Sequence, residues 1–270
     1  EGKHYNETYA PVPCLQAARA MMAITAKLNW EAKCGDVHTA FLAPQLDTYI
    51  VVKVPNWFRE GATGAEKGYT LRQAIKSVPG VPQGPRLWHK ETKGIFLEQG
   101  LRQCRSEFCL YYCEARKLYL LVWVDDFFLF FPPQANKAAL ELWAGLKKKM
   151  DLDDWADVSD CLGCHVTRDR SNRTLTLTQE PAIRKLLLRL NMHDASGKDT
   201  PMVANGKLSK KGSPSPEQAA VMIDEQRWYR SAVASLIYFV CWTRPDLAYA
   251  VSKLCKLMHN PGSEHFVALK

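Results

Sequence analysis

Two adjacent aspartates, Asp125 and Asp126, lie between two strongly apolar runs, residues 118–124 and 127–131. Two such runs separated by two residues are typical of a β-hairpin, and the acid pair is predicted to form its turn because Asp tolerates turn dihedrals. The hairpin would then project two carboxylates from one tip. Carboxylates this close repel each other unless a cation lies between them, and hard oxygen ligands favour Mg²⁺. The pattern therefore predicts half of a metal site.

Apolar periodicity predicts helices and strands that alternate without a strict βαβ rhythm, which indicates an α+β fold. Helices are predicted over residues 15–28, 86–98, 136–150, 181–192, 224–241 and 246–259. Strands are predicted over residues 30–42, 49–54, 108–113, 118–131, 161–167 and 174–178. The first of these strands would carry a third aspartate, Asp36. A glycine-containing loop is expected over 57–70.

The totals indicate a globular, basic protein. The chain has 270 residues, 47% of them apolar, and a formal net charge of +8, which favours a polyanionic partner such as nucleic acid. Nine cysteines without a regular framework favour a reducing, intracellular setting. The longest uncharged apolar stretch, residues 231–243, is too short for a membrane span, which needs about 18 residues or more. We therefore expect no membrane association.

Several motifs together carry a family resemblance. The segment Asp36–Phe41 with Val124–Asp126 resembles the two acidic motifs of reverse transcriptases, in which a strand and a hairpin tip jointly hold two divalent ions. The resemblance to copia-type retrotransposon polymerases extends almost from end to end, in order and spacing, through Glu7–Val12, Asp36–Phe41, Thr176–Gln179, Asp199–Pro201, Tyr229–Ser231 and Thr243–Asp246.

This resemblance implies a right-hand polymerase fold with an antiparallel palm sheet backed by helices, partial fingers and a helical thumb. Residues 1–202 would form the fingers, the palm core and the start of the thumb. Residues 203–222, rich in Gly, Ser, Pro and Lys, would form a linker. Residues 223–270 would form a truncated helical thumb or connection segment.

The resemblance also implies the chemistry. Joining a deoxynucleotide to a primer 3′-hydroxyl is an in-line phosphoryl transfer, for which two Mg²⁺ ions, or Mn²⁺ in their place, activate the attacking oxygen and neutralise the leaving pyrophosphate. Asp36 and Asp125 are expected to bind both ions, and Asp126 to help hold the ion on the hydroxyl side. The substrates would be a dNTP and a primer on an RNA or DNA template.

Further site residues follow from the same resemblance. Phe41 corresponds to a steric gate against the ribose 2′-hydroxyl, although its spacing after a strand equally suits a core aromatic. The backbone amides of Thr39 and Ala40 would face the triphosphate. Gln83 is expected to approach a base or sugar and Arg86 a phosphate, whereas as pure structure this segment is an ordinary turn before a helix.

The segment Cys161–His165 matches the C-x-x-C-H pattern of covalent haem attachment, which would require an export context. A zinc site would need a second pair, for which Cys109 and Cys113 are imperfect candidates. Buried structural cysteines are the third interpretation, and we favour it because free Cys prefers interiors. The resemblance instead implies that Leu162 and Gly163 belong to the grip on the primer strand.

The resemblance leaves alternatives open. Lys147, Lys148 and Lys149 either include a general acid, contact the template–primer backbone or form a solvated helix end. Trp123 replaces the tyrosine that relatives usually carry before the Val124–Asp126 tip. A catalytically decayed or co-opted nucleic-acid-binding relic is therefore the rival hypothesis, and a metal-dependent nuclease is a third. The ends of the sequence suggest an excised piece of a longer polypeptide. The resemblance implies a parent polyprotein with flanking integrase and RNase H domains, in a cytoplasmic particle or the nucleus.

Overall fold

A computed structural model describes residues 7–56, 68–203 and 208–270. The chain divides into two compact units. The first comprises Glu1–Val158 and Asp169–Thr174, and the second comprises Ser159–Arg168 and Leu175–Lys270. Most of the glycine-containing loop predicted over 57–70 lies outside the described residues.

The helices and strands are numbered in chain order. The helices are α1 (Leu15–Leu28), α2 (Gly84–Glu98), α3 (Asn136–Lys147), α4 (Glu180–Arg189), α5 (Pro216–Val221), α6 (Ile223–Trp242), α7 (Ala248–Cys255) and α8 (Ser263–Leu269). The strands are β1 (Glu31–Asp36), β2 (Gln45–Pro55), β3 (Tyr69–Lys76), β4 (Arg102–Gln103), β5 (Leu110–Cys113), β6 (Leu118–Trp123), β7 (Asp126–Phe131), β8 (Ala156–Asp157), β9 (Asp160–Cys161), β10 (Cys164–Asp169) and β11 (Thr174–Thr178).

The first unit is built on a six-stranded sheet with the strand order β4-β5-β6-β7-β1-β8. The pairs that make up this sheet are antiparallel, and β7 lies between its hairpin partner β6 and the distant strand β1. A mixture of helices and antiparallel sheets confirms the predicted α+β class.

Strand β7 is buried along almost its whole length, from Phe127 to Phe131. Side chains alternate between the two faces of a strand, so an unbroken apolar run indicates that both faces are covered. Phe127, Leu129 and Phe131 belong to the main core cluster, together with buried side chains of α2 and α3 such as Phe96 and Leu142. The amphipathic helix α1 also contacts β7. The sheet is therefore held rigidly at the strand that starts with Asp126.

Strands β2 and β3 form a separate two-stranded ribbon in the first unit. In β2 every second residue is exposed, as expected for a half-buried strand. Strand β3 was not predicted, because its residues are largely exposed and show no strong apolar alternation.

The second unit contains the three-stranded antiparallel sheet β11-β10-β9 and a helical core. That core is built mainly from α4, α6, α7 and α8, and its buried residues include Leu186, Tyr229, Val233, Phe239 and Leu254.

The stretch 203–222, predicted as a linker, contains a 3-10 turn at Lys210–Gly212 and the short helix α5. His265 and Asn260 of the second unit donate hydrogen bonds to the carbonyl groups of Ser209 and Pro214, each at 3.0 Å. The described residues 208–222 are thus hydrogen-bonded to this unit. Along the chain, one unit gives way to the other after Val158, Arg168 and Thr174. The predicted domain bounds and roles stay predictions. Among the described residues, no helix is long and apolar enough to cross a membrane.

Candidate active site

The turn of the β6–β7 hairpin consists of Val124 and Asp125, and Asp126 is already the first residue of β7. The prediction of a turn made of Asp125 and Asp126 is therefore wrong by one residue. The physical reason is strand pairing, because Asp126 is paired with Trp123 across the hairpin and with Asp36 in β1. Asp126 is consequently fixed from both sides, whereas Asp125 is exposed at the tip.

Asp36 is the last residue of β1 and lies directly opposite Asp126 in the antiparallel register. Directly opposed residues in such a pair have Cβ atoms about 4.5–5.5 Å apart on the same face. The next amide, that of Val37, donates a hydrogen bond of 3.0 Å to the carbonyl oxygen of Asp125. The three predicted aspartates are thus brought together by two neighbouring strands and the hairpin turn.

Strand β1 ends at Asp36, an isolated bridge follows at Val37 and a turn begins at His38, so the prediction of a strand to Leu42 is wrong. Thr39 has a left-handed φ of 55°, and Ala40–Leu42 form a 3-10 turn. Leu42 donates to the Thr39 carbonyl at 2.7 Å, which stabilises this turn. Among the described residues, the amides of Thr39 and Ala40 donate no hydrogen bond to the protein. Thr39 is exposed and Ala40 is buried, and the predicted contact of their amides with a triphosphate stays a prediction.

A short segment after α3 clamps the end of β1. The amide of Asp153 donates to the Asp36 carbonyl at 3.0 Å, and the amide of His38 donates to the Asp151 carbonyl at 2.8 Å. Between them, Val37 and Leu152 form an isolated antiparallel bridge. The segment Asp151–Asp153 therefore continues the sheet beside Asp36.

Side chains reinforce this clamp. The ring of His38 lies 2.9 Å from a carboxylate oxygen of Asp153, and the indole Nε1 of Trp143 donates to the Asp153 carbonyl at 3.0 Å. The Trp143 ring also packs against Gly35, where an added Cβ would lie only 2.7 Å from the indole Cζ2. Gly35, next to Asp36, consequently has no room for a side chain.

Val124 adopts a left-handed φ of 59°, which is unfavourable for a β-branched residue. Its carbonyl accepts a hydrogen bond of 2.8 Å from the indole Nε1 of Trp88, a buried residue of α2. This bond helps to hold the turn that presents Asp125.

A cavity of about 190 Å³ lies behind this turn and is lined mainly by apolar side chains, including those of Phe41, Trp88 and Val124. Phe41 is half-buried and packs against the main core. The position thus combines the two interpretations weighed above, a core aromatic and a residue near the site.

Burial and mutual repulsion perturb the acidic residues. The pKa of Asp36 is raised mainly by burial and then by the charge of Asp125, while His38 opposes the shift. The pKa of Asp126 is raised by burial, followed by the charges of Asp125 and Asp36. A hydrogen bond from the His38 ring to the Asp153 carboxylate raises the pKa of His38. Negative charge is therefore concentrated where a cation would relieve the repulsion.

The donor set fits Mg²⁺, because carboxylate oxygens are the hard ligands that this ion prefers. Within residues 7–56, 68–203 and 208–270, no three or more His, Cys, Asp or Glu side chains are already gathered as a metal site. Mg²⁺ typically keeps several waters and is bound by one or two carboxylates together with substrate phosphates. Carboxylates on adjacent strands suit an ion of this kind, which completes its ligand shell with substrate.

The family model for "Reverse transcriptase (RNA-dependent DNA polymerase)" matches residues 1–204, which include all three aspartates. This chain belongs to the reverse transcriptase family. Members of the family are RNA-directed DNA polymerases, a class of nucleotidyltransferase.

Curated relatives indicate the copia-type branch of reverse transcriptases. The whole chain aligns at 33% identity with the "Retrovirus-related Pol polyprotein from transposon TNT 1-94" of Nicotiana tabacum, covering 20% of that protein. It aligns at 29% and 28% identity with the Pol polyproteins from transposons RE1 and RE2 of Arabidopsis thaliana, again over the whole chain and over 17% and 18% of their lengths. The chain thus spans about a fifth of the length of these relatives.

Two predicted substrate-binding residues of this reverse transcriptase chain make contacts within the protein. Gln83 is fully buried, and its Nε2 donates to the hydroxyl of Thr48 at 2.9 Å. Arg86 forms an ion pair with Asp47 and donates to the carbonyl of Glu7 at 3.0 Å. Both side chains therefore join α2 to neighbouring segments, and their contacts with base, sugar or phosphate stay predictions.

Leu162 and Gly163, the predicted primer-grip residues, form the turn between β9 and β10 in the second unit. The flanking Cys161 and Cys164 are buried, which confirms the interpretation of Cys161–His165 as containing buried cysteines.

Three residues next to the reverse transcriptase aspartates were not predicted as site residues. They are His38, Trp88 and Asp153, and each acts on the site through a hydrogen bond to a residue distant in sequence. The paired acids of Asp151–Asp153 are the one local signal that could have indicated the clamp.

Proposed function

We propose that this chain is the RNA-directed DNA polymerase core of a copia-type retrotransposon and transfers deoxynucleotides from dNTPs to a primer 3′-hydroxyl. The six-stranded sheet would act as the palm of a right-hand polymerase, the β2–β3 ribbon as part of the fingers and the C-terminal helices as the thumb. The observation that carries this proposal is the register that places Asp36 opposite Asp126, with Asp125 on the adjoining turn.

Each residue near the acids has a defined part in this chemistry. Two Mg²⁺ ions, or Mn²⁺ in their place, held by Asp36 and Asp125 with help from Asp126, would activate the primer hydroxyl and neutralise the leaving pyrophosphate. The amides of Thr39, an exposed residue, and of Ala40, which is buried in the main core, would hold the triphosphate. Phe41, backed by the core, would collide with a ribose 2′-hydroxyl and so select deoxynucleotides.

The relatives are named as Pol polyproteins, and this supports a parent protein with further domains. We accordingly propose integrase and RNase H domains beside this chain, a template–primer duplex as its nucleic-acid partner, and a cytoplasmic particle or the nucleus as its place of action.

Primer extension by the parent protein tests the proposal. The assay measures dTTP incorporation from an oligo(dT) primer on a poly(rA) template in Mg²⁺. We expect Asp36→Asn and Asp125→Asn to lower the rate at least about 100-fold, because each removes charge that stabilises the reacting groups. Asp154→Asn is the matched control, since this aspartate has a side chain 95% exposed and pairs only with Lys147 among the described residues.

Unchanged incorporation after Asp125→Asn, or no Mg²⁺-dependent synthesis by the unmodified parent, would overturn the polymerase proposal. The rival function is nucleic-acid binding by a decayed relic. It is favoured by Trp123, which stands beside the turn and pairs directly with Asp126.

A further inference from the structure

Three motifs that the proposed chemistry leaves unused meet at one side chain of the second unit, Tyr238 of α6. One motif contains the Leu162–Gly163 turn, the second ends at Gln179, and the third begins at Thr243. Each of them contacts Tyr238 directly or through one neighbour. Tyr238 therefore links segments that are remote in sequence.

The first contact holds the turn itself. The Tyr238 hydroxyl donates a hydrogen bond of 2.8 Å to the carbonyl oxygen of Leu162. Leu162 and Gly163 have φ angles of 52° and 78°. Positive φ at both central residues is what a two-residue type I′ hairpin turn requires. A leucine is unfavourable in the left-handed region, so the turn needs stabilisation from outside. The hydroxyl supplies it.

The glycine of the turn is required by the same contact. A Cβ added at Gly163 would lie 2.4 Å from the Tyr238 hydroxyl oxygen. The absence of a side chain therefore lets the tyrosine approach and also leaves the exposed tip free for a nucleic-acid backbone to come close.

Two further polar side chains, those of Gln179 and Thr243, lie near the tyrosine. The hydroxyl of Thr243, at the C-terminal end of α6, donates to Oε1 of Gln179 at 2.7 Å. Gln179 is buried, and its side chain interacts with the Tyr238 hydroxyl, partly opposing the rise in the tyrosine pKa that burial causes. Thr243 and Gln179 are thus hydrogen-bonded to each other beside Tyr238, and the Tyr238 hydroxyl reaches the turn.

We propose that Tyr238 is a positioning residue that fixes the Leu162–Gly163 turn in the conformation that binds the primer strand of a template–primer duplex. This inference rests on the proposed polymerase function. Tyr238 itself does not touch the reacting atoms.

The test compares Tyr238→Phe with Tyr229→Phe in the 270-residue chain. The two tyrosines lie on the same helix, and the buried Tyr229 also donates its hydroxyl proton to a backbone carbonyl, that of Leu254 at 3.1 Å. Fluorescence anisotropy measures affinity for a labelled DNA primer annealed to RNA, and single-turnover extension by the parent protein measures the rate at saturating duplex. We expect Tyr238→Phe to weaken binding about five- to tenfold, the effect of one lost hydrogen bond, with the extension rate changed less than about twofold.

Tyr229→Phe removes a comparable hydrogen bond and should leave duplex affinity unchanged at a temperature where both variants are folded. A double-mutant cycle adds a geometric check. Gly163→Ala should cost less affinity in the Tyr238→Phe background than in the unmodified chain, because the hydroxyl that an alanine would meet is then missing.

Equal duplex affinities for the unmodified chain and Tyr238→Phe would overturn the inference, and so would equal losses in Tyr238→Phe and Tyr229→Phe. An unmodified chain that does not bind the duplex overturns it as well. A binding defect confined to Tyr238→Phe in a protein that extends no primer supports the positioning role and contradicts only the polymerase proposal.

Discussion

At the scale of single residues, the backbone of the candidate active site is strained at Val124. Its left-handed φ of 59° is rare for a β-branched side chain, and such outliers persist only where neighbouring structure enforces them. The enforcing contacts are the bond from Trp88 to the Val124 carbonyl and the bond from Val37 to the next carbonyl, that of Asp125. The position of the Asp125 carboxylate therefore depends on an indole N–H.

This dependence predicts that Trp88→Phe lowers the polymerisation rate about tenfold or more, since small misplacements of catalytic groups are costly. The free energy of unfolding should fall by about 1–3 kcal/mol, from the lost hydrogen bond and the lost ring volume. Primer extension and denaturant unfolding measure the two effects.

Glycine adopts a positive φ without steric penalty, so Val124→Gly should restore part of the rate that Trp88→Phe loses. The control is Trp228→Phe, which truncates a stacked indole of the second unit. A Trp88→Phe variant no slower than Trp228→Phe would show that the indole does not position the turn.

At the scale of elements, the clamp formed by Asp151–Asp153 continues the sheet past the end of β1. Asp153→Pro removes the amide that donates to the Asp36 carbonyl, whereas Asp153→Ala removes only the partner of the His38 ring. We expect Asp153→Pro to lower polymerisation at least about 100-fold and Asp153→Ala by no more than about threefold, because exposed pairs contribute little.

Circular dichroism at the assay temperature verifies that both clamp variants remain folded. Similar rates for Asp153→Pro and Asp153→Ala would mean that the backbone clamp does not position Asp36.

Local patterns predicted most elements of this fold. The helix over 15–28 has the predicted bounds, and α2, α6 and the strands of the β6–β7 hairpin are within a few residues of the prediction. The ribbon strand β3 was missed, because most of its residues are exposed and its sequence shows no strong apolar alternation. The hairpin turn was misplaced by one residue, because pairing with the distant strand β1 decides where β7 begins.

Site residues that lie in recognisable motifs could be predicted from the sequence. Site residues whose role depends on a long-range contact could not. Asp36, Asp125 and Asp126 were identified from motif resemblance, and the strand register brings them together. The inward orientation of Gln83 depends on Thr48 in the ribbon, and the importance of Asp153 depends on its hydrogen bond to Asp36. Neither contact can be predicted from the local sequence.

At the scale of the whole molecule, the net charge of +8 predicts duplex binding that weakens as salt rises, through release of condensed counterions. A polymerase and a relic share this behaviour, so salt alone does not separate them. We expect Mg²⁺ together with the next complementary dNTP to tighten binding of a chain-terminated primer about tenfold or more, because in a polymerase the nucleotide would bind both the protein and the template base.

Anisotropy with a dideoxy-terminated primer measures this effect, and a mismatched dNTP is the control. If the matched and mismatched nucleotides act alike while the salt dependence stays steep, the chain binds nucleic acid without acting as a polymerase.

The tight packing of Trp143 on Gly35 has a consequence for judging which genomic copies of such an element are still competent. A single base change that puts any other amino acid at position 35 would drive a side chain into the indole and displace the strand end, although every acidic codon remains intact. Surveys that judge genomic copies only by whether the three aspartates are intact will therefore overestimate the number of active copies. Gly35 and Trp143 should be checked as well.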